Sequence, residues 1–462
     1  MTTMRKLLVL ISAAMLTACG GGGGDGGGGI TSPPPPVSDA CSLTAQKQFV
    51  FDQMQLWYLW NDRLPASVNL DDYATPQALI DFLSTFSETG PSGAPVDRFS
   101  SIGSLTSDQQ FFGEGRFEGF GFSSRFASPE NWRLSRVFVD SPAGRGGLAR
   151  GQTIVALDGR TIAEIEAAEG INAVLGNDTV EFTMRPLVGP DFTVSLTKDI
   201  VTIDPLPQWR IIDGSGGRKI GYLEFATFIS TAVPGFETIF AEFNAQNVTE
   251  VIIDMRYNGG GLVSTAELLG DYLGGRIATN LVFSSTEFNS DRGADNNSQA
   301  FFSLLGNSVN LTDLVVIATR GTASASELVT NGLDPHTRVT IVGTNTFGKP
   351  IGQIGLELPG GCDILLRPTA FKTVNANSFG EFFDGLPVDC PADDDLDVPV
   401  GADNDPNMVA ALSYLETGSC PITAAPNNVS KTSGDVAAPS AQIEDIRPDL
   451  SGPPWREYAN AY

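Results

Sequence analysis

The length, composition and charge of the chain limit what it can be. It has 462 residues, 41% of them hydrophobic, and a mean hydropathy of zero, which is typical of a soluble globular protein with roughly two to four domains. Acidic residues outnumber basic ones by 54 to 28, and the formal net charge of -26 repels phosphates, so no nucleic-acid partner is expected. His336 is the only histidine, which excludes most zinc enzymes because their sites usually use several imidazoles.

The first residues read as an export signal. Arg5 and Lys6 precede a short apolar run, Leu7–Leu16, which is too short to cross a hydrocarbon core of about 30 Å. The run ends at Leu-Thr-Ala-Cys, which resembles the cleavage box of bacterial lipoproteins. The resemblance implies a signal peptide over residues 1–18 and a lipid on Cys19, which would be the only attachment to a membrane.

A low-complexity segment follows, over residues 19–40. Its glycines (Gly20–Gly29) are typical of a flexible tether, and Pro33–Pro36 of a short stiff spacer. In outer-membrane lipoproteins that carry a similar cleavage box, the residue after the lipid-bearing cysteine is not aspartate, and here it is Gly20. The resemblance therefore implies an exported protein anchored to the outer membrane and facing the periplasm. At the other end of the chain, residues 422–462 lack periodicity and are predicted to be a loosely held tail.

Four cysteines remain for disulfide bonds in an exported protein. They allow three pairings. We expect Cys362–Cys390, which closes a local loop, and Cys41–Cys420, which ties the ends of the folded body together.

Residues 41–112 are predicted to form a small N-terminal helical domain. Apolar residues recur at helical spacing from Val50 to Trp60, and Asn61–Pro65 ends that helix. Thr75 is a predicted N-cap, with Pro76 in the first turn of a second helix.

Residues 113–203 change to short strands with glycine turns. The predicted elements are strands at Trp132–Val139, Val180–Met184 and Phe192–Leu196 and a helix at Ile162–Val174. Their order resembles an inserted PDZ domain of the bacterial protease type. In such domains a peptide adds as an extra strand. The resemblance implies that the backbone of Gly119, Phe120, Gly121 and Phe122 binds the terminal carboxylate of that peptide.

Residues 204–421 alternate buried strands and helices, which predicts an α/β layer with crossover connections. The predicted strands are Ile220–Phe225, Val251–Met255, Leu314–Thr319 and Val339–Gly343, and the predicted helices are Pro234–Asn244, Leu262–Leu273 and Ala325–Leu333.

Three loops of this layer carry candidate chemistry. Ser324 follows a strand and opens a helix, where the helix dipole and free N–H groups favour developing negative charge. Lys349 follows Gly348 further along, and Gln353 lies four positions after it. The glycine-rich loop Asn258–Gly261 allows close approach of the backbone to a substrate.

This set of motifs resembles the C-terminal processing peptidases, also called tail-specific proteases, over roughly residues 41–420. The resemblance implies a crotonase-like or ClpP-like α/β catalytic core. Ser324 would be the nucleophile and Lys349 its general base, with Gln353 orienting the lysine.

The same resemblance implies an oxyanion hole made by the N–H of Ala325 and that of Gly260 or Gly261. Glu327 would support the site. Pro350 departs from the family pattern, which usually has glycine after the lysine. No cofactor and no metal are expected.

A lysine can serve as a base only when its amine is neutral. The ordinary lysine pKa is about 10.4, and burial in an apolar pocket can lower it by several units. A neutral amine can then take the serine proton, as in known Ser-Lys variants of the triad.

The substrates expected are proteins or peptides with free, unstructured C-termini, cut near small or apolar residues. Two alternatives stay open, namely a non-catalytic peptide-binding surface lipoprotein and a Ser-Lys esterase or amidase. The pair Ser195 and Lys198 lies on a predicted strand and is interpreted as coincidental. His336 is interpreted as structural, and the acidic run that begins at Asp393 as a solvated loop rather than a calcium site.

Overall fold

The computed structural model describes residues 39–128 and 131–421 of the chain. The predicted signal peptide, Cys19, all but the last two residues of the tether, and the C-terminal tail lie outside the described residues. Within the described part, each helix is too short or too polar to cross a bilayer.

The N-terminal segment is mainly helical. It consists of α1 (Leu43–Trp57), α2 (Pro76–Ser84), β1 (Ser101–Gly103) and α3 (Leu105–Gln109). The predicted start of α2 is confirmed, because the Thr75 hydroxyl accepts a hydrogen bond from Ala78 N at 3.1 Å and Pro76 occupies the first turn. Trp60 lies beyond the end of α1.

The second segment is rich in short strands. It consists of β2 (Arg116–Gly119), β3 (Phe122–Ser128), β4 (Asn131–Val137), α4 (Pro142–Arg145), β5 (Thr153–Leu157), β6 (Arg160–Thr161), α5 (Ile162–Ala168), α6 (Ile171–Leu175), β7 (Thr179–Arg185), β8 (Phe192–Thr197) and β9 (Asp199–Thr202). Antiparallel strands run in the order β3-β4-β5-β7-β8, with β6 on β5, while β2 pairs with β9. The single helix predicted over Ile162–Val174 is wrong, since Gly170 at φ +82° separates two short helices.

The third segment holds the α/β layer. It consists of β10 (Gln208–Asp213), β11 (Lys219–Glu224), α7 (Val233–Ala245), β12 (Glu250–Asp254), α8 (Val263–Gly274), β13 (Val282–Phe288), α9 (Ser290–Asn296), β14 (Ser298–Phe301), β15 (Asp313–Ala318), α10 (Ala325–Leu333), β16 (Arg338–Gly343), β17 (Ile351–Gln353), β18 (Leu356–Glu357), β19 (Leu365–Arg367), β20 (Thr369–Val374), β21 (Cys390–Pro391) and α11 (Pro406–Thr417). The strands and helices predicted here are confirmed, with ends that differ by at most one residue.

The order of the central sheet brings three loops together. Its strands run β10-β11-β12-β15-β16-β21, and all neighbours except β10 and β11 are parallel. Parallel strands end at the same edge of a sheet. The loops that follow β12, β15 and β16 carry Gly260, Ser324 and Lys349, so these three residues meet at one edge.

The N-terminal segment shares its core with the third segment. Val50 and Met54 of α1 belong to one buried cluster with Ala323, Phe347 and Ile351, which flank the candidate site residues. Strand β1 also pairs with β19 in a three-stranded sheet completed by β18. The helices around α1 therefore form one side of the body rather than a separate core.

The disulfide bonds differ from the expected pairing. They join Cys41 to Cys362 and Cys390 to Cys420, with Cα–Cα distances of 5.6 and 5.3 Å. Helix α11 packs on the face of the central sheet that contains Cys390, and this brings Cys420, just beyond the helix, next to β21. The turn before Cys362 lies against Ala40, the residue before Cys41, and this places Cys362 next to Cys41 rather than Cys390. Sequence distance alone could not show these contacts.

The prediction that the acidic run beginning at Asp393 is a solvated loop is wrong for Asp394. The Asp394 carboxylate is buried and accepts hydrogen bonds from Arg150 at 2.8 Å and Arg256 at 3.1 Å, and from the Tyr257 hydroxyl. Arg125 adds a bond to the Asp394 carbonyl at 2.6 Å. Because Arg125 and Arg150 belong to the second segment, Asp394 fastens that segment to the α/β layer.

The two disulfides differ in the length of chain that they close. Replacing both Cys41 and Cys362 by serine should lower the free energy of unfolding by roughly 2 kcal/mol more than replacing both Cys390 and Cys420, because longer closed loops restrict the unfolded chain more. The sequence separations are 321 and 30. Urea unfolding of both double variants measures the difference, and equal losses would contradict the prediction.

Asp394 makes stability depend on pH. Burial acts to raise the pKa of Asp394, but Arg150, Arg256 and Arg125 outweigh it and bring the pKa to about 2. A carboxyl whose folded pKa is depressed stabilises the protein above its unfolded pKa and loses that contribution as the pH falls through the folded value. Asp394→Asn should therefore cost about 3 kcal/mol at pH 7, and its difference from the parent should disappear between about pH 4 and pH 2.

Thermal unfolding at pH 7, 4 and 2 measures this effect. Asp397→Asn is the matched control in the same loop, because Asp397 pairs with Arg133 but its side chain is 60% exposed. An exposed pair contributes about 1 kcal/mol or less. A loss in Asp394→Asn that stays constant down to pH 2 would contradict the assignment.

Candidate active site

Ser324 occupies a strained turn between β15 and α10. Its φ of +54° and ψ of -114° are rare for a residue with a side chain, and such strain is typical of functional turns. The residue is half-buried, and it precedes the first residue of α10. Its hydroxyl therefore lies at the positive end of the helix dipole.

The glycine-rich loop packs directly on this turn. A Cβ on Gly260 would lie 2.7 Å from the Ser324 Cβ, and Gly260 has a φ of +106°, so glycine is required there. Asn258 ties the two loops together, because its carbonyl accepts hydrogen bonds from Ala323 N at 3.0 Å and from the Ser326 hydroxyl at 2.9 Å.

Glu327 joins the serine turn to the lysine loop. Its fully buried carboxylate accepts hydrogen bonds from Ser324 N at 2.9 Å, Gly348 N at 2.7 Å, Lys349 N at 2.8 Å and the Thr346 hydroxyl at 2.5 Å. Burial raises the pKa of Glu327 above its ordinary value, although these donors act in the opposite direction. One side chain thus fixes the relative position of both loops.

The Lys349 side chain points into a largely dry environment. The residue is 5% exposed, and its Nζ donates to Gln353 Oε1 at 2.9 Å. The Phe99 ring lies beside the amine, with its centroid 4.8 Å from Nζ. Gln353, which the resemblance implies orients the lysine, thus lies within hydrogen-bond distance of the lysine amine.

The candidate oxyanion donors lie on the two loops beside Ser324. The N–H of Ala325 is in the first turn of α10, where no carbonyl of the helix can accept it. The N–H of Gly260 donates to Asn258 Oδ1 at 3.0 Å. The second oxyanion donor would therefore be the N–H of Gly261, or the N–H of Gly260 after it exchanges its hydrogen bond to Asn258 for one to the substrate oxygen.

The other residues singled out in the sequence lie apart from this site. Gly119–Phe122 links β2 to β3, and both phenylalanines are fully buried. His336 bonds to the Val282 carbonyl at 2.8 Å, which fits a structural residue. Lys198 donates to the Gly176 carbonyl at 2.8 Å. In the described ranges, no cluster of acidic, histidine or cysteine side chains has the arrangement of a metal site.

Two contributors to the site were missed. Phe99 comes from the N-terminal segment, and Thr346 donates to Glu327 from the loop before Lys349. The sequence offers a weak signal for Thr346, its closeness to the lysine. It offers none for Phe99, which is brought in by long-range packing.

Two parts of the chain are similar to known peptidases. Residues 219–382 match the model of peptidase family S41, and residues 45–101 match the peptidase S41 N-terminal domain. A chloroplastic C-terminal processing peptidase of Tetradesmus obliquus is 29% identical over 255 residues, covering 52% of this chain and 53% of the relative. A carboxyl-terminal-processing protease of Picosynechococcus is 28% identical over 238 residues, covering 50% and 54%. The chain thus spans about half the length of these curated relatives.

Solved structures share the fold. A Bacteroides fragilis protein assigned to the S41 proteases superimposes with a TM-score of 0.62 at 23% identity, covering 80% of this chain and 97% of that chain. The photosystem II D1 C-terminal processing protease gives a TM-score of 0.50 at 21% identity, covering 76% and 93%. The α/β architecture expected for the third segment is confirmed.

These matches show that the chain is similar to peptidases over its N-terminal segment and its α/β layer. More narrowly, residues 219–382 are similar to peptidase family S41 and residues 45–101 to its N-terminal domain, and the curated relatives are C-terminal processing peptidases. The resemblance to C-terminal processing peptidases that the motifs indicated is confirmed.

Glu327→Gln tests whether this carboxylate organises the site. An amide would turn an NH₂ group towards backbone donors, so the free energy of unfolding should fall by about 2–3 kcal/mol. Displacement of the loops should slow labelling of Ser324 by a serine-directed phosphonate probe roughly 10²-fold. Chemical denaturation and labelling kinetics measure the two effects.

Glu250→Gln is the matched control. Glu250 is a buried glutamate of the same sheet that pairs with Arg218 at 2.5 Å, at the start of β12 and away from the three loops. This control should lose stability without slower labelling. Equal labelling rates in parent and Glu327→Gln would rule out the organising role.

Proposed function

We propose that the chain is a serine endopeptidase in which Ser324 is the nucleophile and Lys349 the general base. The observation that carries this proposal is the Glu327 carboxylate, which holds the backbone N–H groups of both residues. The strained turn at Ser324 and the buried amine of Lys349 support it further. Either residue alone could be structural, but their joint fixation is what a dyad requires.

The first chemical step follows from these roles. The neutral amine of Lys349 takes the Ser324 hydroxyl proton while the oxygen attacks the peptide carbonyl carbon. Low exposure favours the neutral amine, because water would stabilise the ammonium. The Gln353 amide oxygen holds the amine in place.

The charge that develops on the carbonyl oxygen requires backbone donors. Ala325 N–H and a donor from the glycine-rich loop would each contribute on the order of 10²–10³-fold in rate. The Lys349 ammonium then protonates the leaving amine, and an acyl-enzyme forms on Ser324. Water, deprotonated by the same lysine, releases the acyl group.

The second segment is proposed to bind the substrate's C-terminus in the manner of a PDZ domain. Strand β3 supports this, because it is the edge strand of its sheet in the part of the chain that the structure describes. A peptide could add there as a further strand. Gly119–Phe122 runs from the last residue of β2 to the first residue of β3, at the end where the peptide carboxylate would bind.

Export and lipid anchoring through Cys19 are also proposed. The disulfides Cys41–Cys362 and Cys390–Cys420 support export, since such bonds persist in oxidising compartments. The lipoprotein-like box and the tether in the sequence support anchoring to the outer membrane on the periplasmic side.

Proteolysis of an unfolded model protein with a short apolar C-terminal tail tests the activity. The parent should cleave it, and Ser324→Ala and Lys349→Ala should each reduce kcat on the order of 10⁴-fold or more while remaining folded. The control is Ser195→Ala, which removes the serine of the other closely spaced serine and lysine pair. That control should cleave at the parental rate.

The remaining outcomes separate the alternatives. An inert parent that still binds the tail would favour the peptide-binding lipoprotein. Turnover of small esters without any cleavage of the protein substrate would favour an esterase or amidase. Cleavage that survives Lys349→Ala would exclude this lysine as the base.

A further inference from the structure

The N-terminal segment sends one side chain into the candidate active site. Phe99 lies near the end of the long loop between α2 and β1 and is 2% exposed. Its ring centroid is 4.8 Å from Lys349 Nζ and 6.0 Å from the ring centroid of Phe347. The ring therefore occupies space beside the amine that water would otherwise fill.

The backbone of Phe99 makes a second contact with the same group of residues. Its carbonyl accepts a hydrogen bond from Gln353 Nε2 at 2.6 Å, and the Arg367 carbonyl accepts from the same atom at 3.2 Å. A carbonyl can only accept, so the NH₂ end of the amide must face these two oxygens. The Gln353 oxygen is thereby left facing the Lys349 amine, to which it lies at 2.9 Å.

Asp97 holds the turn that carries Phe99. Its buried carboxylate accepts hydrogen bonds from Phe99 N at 3.0 Å, Ser100 N at 3.2 Å and the Ser100 hydroxyl at 2.6 Å. The Thr369 hydroxyl also donates to it at 2.8 Å. The turn is thus fixed both to itself and to β20, which leaves Phe99 little freedom beside the lysine.

We propose that Phe99 is a positioning residue for the base, whose ring shields the Lys349 amine from water and whose carbonyl sets the orientation of the Gln353 amide. The inference rests on the proposed Ser-Lys function. The N-terminal segment then supplies part of the active site, besides its packing role. Phe99 touches Lys349 and Gln353 and acts on the reaction through them.

Two substitutions of Phe99 should shift the pH profile in opposite directions. Phe99→Ala lets water reach the amine and stabilise the ammonium, so the acid limb of kcat/KM should move to higher pH by about one unit. Phe99→Leu keeps an apolar cover but removes the π face that attracts a cation, so the limb should move to lower pH by about half a unit. A purely structural side chain would move neither limb.

The pH profiles of kcat and kcat/KM are measured for the full chain and these variants. Phe111→Ala is the matched control, since Phe111 is a buried phenylalanine (1% exposed) in another cluster, packed on Phe112 at a ring distance of 5.0 Å. It should lose stability and keep the parental limb. Asp97→Asn, which loosens the turn, should lower kcat about tenfold with KM within twofold of the parent.

Opposite shifts in the two Phe99 variants support the proposal. It is overturned if the Phe99→Ala limb coincides with that of the parent and of Phe111→Ala. If Phe99→Ala does not fold, the direction of the Phe99→Leu shift decides alone, and an unchanged or upward shift overturns the proposal.

A second readout separates this inference from the proposed function. The side-chain resonances of isotope-labelled Lys349 are titrated in Ser324→Ala protein, and they are assigned by their loss in Lys349→Met. An inert parent would contradict the peptidase, whereas the titration midpoint still tests Phe99. A midpoint that is the same with phenylalanine, leucine and alanine at this position overturns the positioning role whatever the activity.

Discussion

The buried carboxylate of Glu327 is the interaction on which the rest of the site depends. A fully buried carboxylate is costly unless it is well hydrogen-bonded, and Glu327 obtains its donors from the backbone of Ser324, Gly348 and Lys349 and from Thr346. The requirement to satisfy this charge forces the loops after β15 and β16 into one relative position. The Ser324 and Lys349 side chains, which lie on two different loops, are in this way held in a fixed relative position.

A second buried ionic group lies beneath the glycine-rich loop. Arg256 is fully buried and bonds to Asp254 at 2.8 Å and to Asp394 at 3.1 Å, and Tyr257 also donates to Asp394. Burial and the nearby Asp394 charge raise the pKa of Tyr257, so its hydroxyl remains a donor. Arg150 contacts both Asp394 and Tyr257, so the second segment contacts the residue directly before Asn258–Gly261. The packing of the second segment on the α/β layer and the conformation of the Asn258–Gly261 loop therefore both depend on the Asp394 carboxylate and its arginine partners.

The elements that carry Ser324 and Lys349 could be predicted because their signals are local. Hydrophobic period and glycine spacing gave β12, β15, α10 and β16 with ends close to those observed. The disulfide pairing, the arginine partners of Asp394 and the arrival of Phe99 could not be predicted. Each depends on contacts between distant parts of the chain, such as Gln353 with Phe99 at a separation of 254 residues. A single sequence carries no local pattern for such contacts.

The pairing of β1 with β19 has a consequence for the order in which the molecule is assembled. Residues 101–103 are made early, but their strand partners, residues 365–367, emerge only after both Ser324 and Lys349. Contacts between such distant parts of a chain form late, because a long loop must close first. A chain still under synthesis therefore contains Ser324 and Lys349 before it contains Gln353 and before β19 and β20, which hold the segment around Phe99, have been made. The complete site comes into existence only when most of the folded body has been made.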